Sequence, residues 1–362
     1  MSTPPDPLSP FGPERAGEPP RPIEPDAYGD LTAEVDSPDD ALELFQSLLL
    51  IAASAPVGED LTHHPLMLVQ AAKAMIGLRP ETPSEAMITV AMEACKGVAW
   101  TAPDRASLSA APDQLGLTVS VHDLELALMS GDSERAANQL ARVLLVSDSR
   151  LFLFDVILSV AARDPERAAG QVAFVHSCQR AYDFIGPLNF GDFILPALQA
   201  VTRQKQILSP ENASFDLWEA LPKIAAGSTD TLLLAAHSAQ IEADEHIKGT
   251  AIMERLGRVL ADQTAEQPTG PFDKLGATGG TPTDLQSAAR AGEVDQCRAI
   301  GRRLAETGER VWLLDILEAA KEIMPPLLLW ADSIRMLLRV APESERGAVG
   351  EVAGAQLARI LS

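Results

Sequence analysis

The sequence predicts an all-α protein built from two similar halves. Three observations predict it. The apolar content is made of Ala, Leu, Val, Ile and Met, aromatics are only 4%, and Tyr appears twice. Ala and Leu favour helix, whereas strands draw on β-branched and aromatic residues. One stretch occurs twice, RLFLFDVI at Arg150 to Ile157 and RVWLLDIL at Arg310 to Leu317, with Arg, Leu and Asp at the same places. Finally, the segments around each copy follow the same order, offset by about 160 to 173 residues. Several ordered matches around similar loops indicate an internal duplication. Two copies are too few for a long solenoid, so two halves of about seven or eight helices each, related by a pseudo-two-fold, are expected.

Residues 1–36 are proline-rich and acidic, and read as a disordered tail. The first half covers residues 37–205. Ser37 caps helix A, with Pro38 at the first helical position and acids behind it. Helix B follows His64-Pro65 and carries LMLVQAAKAMI. Thr82, Pro83 and Glu85 form an expected capping box for helix C. Residues 101–119 read as loop. Helix D runs from Ser120 to near Gly131, helix E from about Ser133 to Leu145, and helix F is the repeated stretch. Asp164-Pro165 is expected to cap helix G, which carries AFVHSCQRAYDFIG. Helix H contains Pro196 and is expected to kink there or begin late.

The second half covers residues 206–362. FDLWEALPKIAAGS (Phe215 to Ser228) resembles helix A, and LLLAAHSAQI takes the place of helix B. TAIMERLGRVLA matches helix C, and a Gly/Pro/Thr-rich linker at about 263–281 replaces the 101–119 loop. DLQSAARAGE resembles helix D, and LLLWADSIRM takes the place of helix G.

The net charge of −22 speaks against a nucleic-acid partner, which needs a basic footprint. No apolar run is long enough to span a bilayer. The three cysteines (Cys95, Cys178, Cys297) are far apart, which argues against zinc fingers and disulfides and fits a reducing compartment. With no signal peptide at the start, a cytoplasmic protein is expected. No motif requires a cofactor: there is no Walker A, no GxGxxG after a strand, no HExxH and no GxSxG. Glu59 with His63, Asp60 with His64 and Glu242 with His246 share one spacing, but as a metal site they would be irregular, and surface pairing is the simpler reading.

Six histidines carry what chemical signal there is. His63, His122 and His246 read as solvated. His64 stands at the start of helix B, His176 lies on the apolar helix G, and His237 lies on the second-half helix B. A pseudo-two-fold would bring His64 and His237 near one another. Imidazoles meeting on a seam could bind a metal, move protons or grip a polar ligand, with Gln70, Gln179, Arg180 and Gln240 as polar companions.

The His64-Pro65-Leu66-Met67 helix start, the HSCQRA segment (His176 to Ala181) and the AAHSAQ segment (Ala235 to Gln240) together resemble the questin oxidase-like family. They are also similar to the helical extension of some bacterial Rieske proteins. The resemblance implies an oxidoreductase association with His64, His176 and His237 as functional positions. The chain has no Cys-x-His, so it cannot itself ligate a Rieske cluster.

The sequence thus supports a helical binding or scaffold protein, a non-catalytic accessory of a redox system, with a protein partner or small-molecule ligand. The alternative is an oxidoreductase acting on a small aromatic substrate in a cavity between the halves. That alternative expects His64, His176 and His237 to converge on one cavity.

Overall fold

A computed structural model describes residues 35, 37–102, 108, 119–147, 149–205, 216–244, 252–254, 257 and 280–362. Among them there are helices and connecting turns but no strand, so the chain is all-α. The expected tail at 1–36 and the linker at 263–281 lie almost wholly outside the described residues, as do most of the 101–119 loop and of the second helix C.

In the first half, α1 (Pro38–Ala53) begins at a full capping box. Ser37 Oγ accepts from the Asp40 N–H at 3.2 Å, and Asp40 Oδ2 accepts from the Ser37 N–H at 3.1 Å. A cap of this kind contributes about 1 kcal/mol. α2 (Pro65–Ile76) is capped by His64. α3 (Glu85–Cys95) starts later than its Thr82 signal: Thr82 is used in a turn, donating its N–H to the Arg79 carbonyl, and Ser84 holds the N-cap position without a side-chain bond. α4 (Val121–Ser130) ends on Gly131 at φ +75°, a left-handed position that favours glycine. α5 (Ser133–Val146) is capped by Asp132, and α6 (Leu151–Ala161) is the repeated stretch. α7 (Ala168–Ile185) also starts later than its Asp-Pro signal, because residues 165–167 form a turn closed by the buried Asp164. α8 (Phe190–Thr202) neither begins late nor stops at Pro196, but carries it inside.

In the second half, α9 (Leu221–Ala226) is shorter than expected. Residues 217–220 form turns, and Pro222 falls where the helix can start, near its N-terminus. α10 (Thr229–Ala243), α11 (Pro282–Arg290), α12 (Val294–Glu306), α13 (Val311–Glu318), α14 (Pro325–Val340) and α15 (Arg346–Leu361) follow. α11 repeats the device of α1: Thr281 and Asp284 form a capping box around Pro282.

The packing order recurs. In the first half α1 lies on α2, α4 on α5 and α6, α6 on α7, and α8 on α1, α4, α5 and α7. In the second, α9 lies on α10, α11 on α12 and α13, α13 on α14, and α15 on α9, α11, α12 and α14. The closest pair is α12 with α15. Gly301 faces Gly350, and Gly354 faces the Cys297 carbonyl, so tightly that an added Cβ would overlap the opposing backbone. Beside this contact the fully buried Glu351 is held by Arg298 at 3.0 Å and by Arg302.

Among the described residues two helix pairs make the main contacts between the halves, with α2 and Arg79 just beyond its end also touching α13. α2 packs on α14, and α7 packs on α10. Together with the contacts of α2 on α7 and α10 on α14, they close a ring of four helices in the order α2, α7, α10, α14.

Candidate functional site

The ring has an apolar body and a polar lining. Gln70, His176, Ser177, Gln179, His237, Ser238, Gln240, Asp332 and Ser333 come from its four helices, and none is more than 4% exposed. Buried polar groups cost free energy unless they find partners, so the partners define what the seam can do.

His176 and His237 find each other. Their Nδ1 atoms lie 2.9 Å apart, with the rings edge to face at 5.0 Å. One Nδ1 carries the proton and donates while the other accepts. Burial, then the nearby Arg180 guanidinium, pushes His237 down to about 3. His237 is neutral at physiological pH.

His64 does not join them. Its Nδ1 accepts the Leu66 N–H at 3.2 Å as the cap of α2. Its Nε2 therefore carries the proton and donates to the Ala55 carbonyl at 3.2 Å. Its ring stands edge-on to Phe174 at 4.7 Å. Burial lowers it to about 4. Both nitrogens are spent on holding the start of α2. The expected approach of His64 to His237 is replaced by that of His176 to His237, because α10 packs on α7 and not on α2 in the ring.

One turn along α7 from His176, Arg180 reaches α14. Its guanidinium donates to Asp332 at 2.9 Å, and Arg335 donates to the same carboxylate at 2.8 Å. Burial alone would raise Asp332, but the two guanidinium groups outweigh it and hold the carboxyl well below the usual range. Sequence reasoning did not single out Asp332 and Arg335. The signal was there, since two charged residues interrupt the apolar run of α14. Lys73 on α2 lies over the Phe184 ring with Nζ 3.9 Å from its centroid. Burial, then Arg180, lowers its ammonium to about 7.

The other histidines behave as surface residues. His63 pairs with Asp60 at 2.7 Å with both exposed, and His122 is exposed beside Glu125. His246 lies outside the described residues. Among the described residues no three His, Cys, Asp or Glu side chains are grouped to hold a metal. The three cysteines are buried, and burial pushes Cys95 up to about 12 and Cys297 up to about 11.

Compared with known protein families, curated proteins and solved structures, the chain matches none. Its chemistry is therefore read from its own geometry.

Among the described residues, clefts open elsewhere, and three of them are sizeable. One of about 490 Å³ lies where residues 58–62 meet the start of α7 and the end of α8. One of about 450 Å³ lies between the end of α1, the start of α5 and α8, and one of about 370 Å³ between α3 and residues 320–323. None of the three has His64, His176 or His237 on its wall. Among the described residues no helix is long and apolar enough to cross a membrane.

Proposed function

We propose that the chain is a helical binding protein whose two halves, descended from an internal duplication, are locked across a polar seam. The recurring order of packing pairs supports the duplication. One observation carries the binding reading: the imidazoles and the buried carboxylate of the seam are already engaged. His176 is bonded to His237, Asp332 lies between Arg180 and Arg335, and His64 caps α2. Groups so engaged fix an orientation between helices; they do not stand poised against a reacting atom. The ligand is a small molecule, and the chain acts without chemistry of its own, as an accessory to a redox system or another enzyme.

The alternative is an oxidoreductase of questin oxidase-like type acting on a small aromatic substrate between the halves. The His176–His237 pair is the one feature that favours it, since a hydrogen-bonded imidazole pair can pass a proton.

The test is a visible spectrum and metal content of the purified protein, followed by thermal unfolding against a panel of small organic molecules. The binding reading expects a colourless protein that one ligand class stabilises saturably. Turnover of an aromatic substrate that vanishes in His237→Gln, with the unfolding temperature unmoved, would overturn it.

A further inference from the structure

The seam ends in a charge imbalance. Arg180 and Arg335 bond to a single buried carboxylate, Asp332, and Lys73, on another helix of the ring, lies within its field. Arg310, at the start of α13, adds its field to Arg335. The other nearby acid, Asp183, is on the surface of α7. Three cations on one buried anion would be ordinary on a basic protein. This chain carries a net charge of −22, and its partly buried Arg298 and Arg302 are matched to carboxylates.

A second observation points to the same place. Gln70 is 1% exposed, and its Oε1 has no hydrogen-bond partner. It lies one helical turn before Lys73, on the same face of α2. The level of that face along the ring follows from two contacts. His64 touches Phe174 and Lys73 touches Phe184. These contacts are nine residues apart on α2 and ten on α7, so the two helices run side by side in the same direction. Gln70 is therefore level with Arg180 and Ala181. A carboxamide can turn to present its N–H groups instead of its oxygen. The place thus offers two guanidinium groups, an ammonium and a carboxamide.

We propose that Lys73, Arg180, Arg335 and Gln70 form a binding site for the carboxylate or phosphate head of a small organic anion. The site deepens the binding reading and rests on it. The ligand supplies the negative charge that Asp332 alone does not, and Lys73, half-buried at the rim, closes over it. Arg180 and Arg335 are each less than a fifth exposed, so the anion meets them at the edge of the seam and not in its centre. Partial desolvation makes these charge-assisted bonds stronger than the same contacts on an open surface. An anion beside Lys73 also favours its protonated form, which burial now opposes.

The test uses the full chain at pH 7 and constant ionic strength. Equilibrium dialysis measures binding of inorganic phosphate and, in a second arm, succinate. In parallel, mass spectrometry measures how fast an N-hydroxysuccinimide ester acylates each lysine. Saturable binding of either probe near one per chain is expected, weakened at least tenfold in Lys73→Gln and unchanged in Arg79→Gln, which lies outside the site. Lys73 is expected to react faster than the exposed Lys96, and the bound probe to slow Lys73 alone. The succinate and phosphate arms tell a carboxylate head from a phosphate head. No saturable binding of either probe, or equal binding to the Lys73→Gln chain, overturns the site. A chain stabilised by a neutral ligand but indifferent to both anions would sink the anion site and leave the binding reading standing.

Discussion

Lowering the pH should unfold this protein through two buried imidazoles. His237 and His64 are 1% and 4% exposed, and are lowered from 6.5 to about 3 and about 4 by burial. In the unfolded chain both take up a proton near pH 6.5; in the folded chain neither does until far lower. Both shifts are downward, so their stability contribution is complete above pH 6.5 and is lost as pH falls. The loss ends near pH 4 for His64 and near pH 3 for His237. Each group costs about 1.4 kcal/mol per pH unit within its window, so the pair gives a slope of about 2.7 kcal/mol per unit. At pH 4.5 the sum is about 5 kcal/mol, a large part of the stability of an ordinary domain. Asp332 adds its own loss only below its ordinary value of 3.8, and Asp230, whose carboxyl is raised by burial and by Asp60, titrates the other way. Urea unfolding at a series of pH values between 7.5 and 4.5 measures the slope. His64→Asn keeps a good helix cap while removing the titrating ring, so its slope should fall to about 1.4 kcal/mol per unit, whatever its stability at neutral pH. A flat profile in the natural chain, or the same slope in both proteins, would refute the reasoning.

Asp332→Asn leaves two guanidinium groups facing a neutral amide, and should destabilise the chain at pH 7 by about 3–5 kcal/mol, read from the urea midpoint. Arg79→Ala removes pairs with Asp315 and Glu318 that are about a third exposed, and should cost no more than about 1 kcal/mol in the same assay. Gly354→Ala drives a methyl group into the Cys297 carbonyl, and should lower the unfolding temperature by several degrees, at a cost of about 1–3 kcal/mol. Gly97→Ala meets no neighbour but sits at φ +76°, so its smaller loss, about 1 kcal/mol, comes from backbone strain alone.

The helices were legible because their signals are local. Ser37-Pro38-Asp39-Asp40 and the glycine at 131 act within one turn, and the structure uses them as read. Thr82 and Asp164-Pro165 misled by two and by three residues. A cap signal does not say whether a preceding turn will use the residue first, and in both cases a turn did. The site was half legible. His176 and His237 stood out as polar residues on apolar helices, and they meet. His64 stood out for the same reason, yet its nitrogens answer to the backbone at Leu66 and Ala55. Which helix neighbours which is a long-range fact. The ring order that set His176, and not His64, against His237 is written in no single segment. The α12–α15 contact was missed altogether, because glycines spaced along a helix carry no hydrophobic periodicity. Their meaning is the absence of a side chain where another backbone passes.

The ring order also bears on what counts as one folding unit. Going round it, each half contributes two adjacent helices, and each of those has one neighbour from its own half and one from the other. Neither half owns a closed core. A fragment ending near residue 205 would present the inner faces of α2 and α7 to water, with Gln70 and His176 deprived of their surroundings, and its counterpart would strand Asp332 without Arg180. Such fragments should be poorly folded apart and recover structure when mixed. On the proposed duplication, the two halves have become mutually dependent: an ancestral single copy, to cover the same faces, would have had to pair with a second molecule of itself.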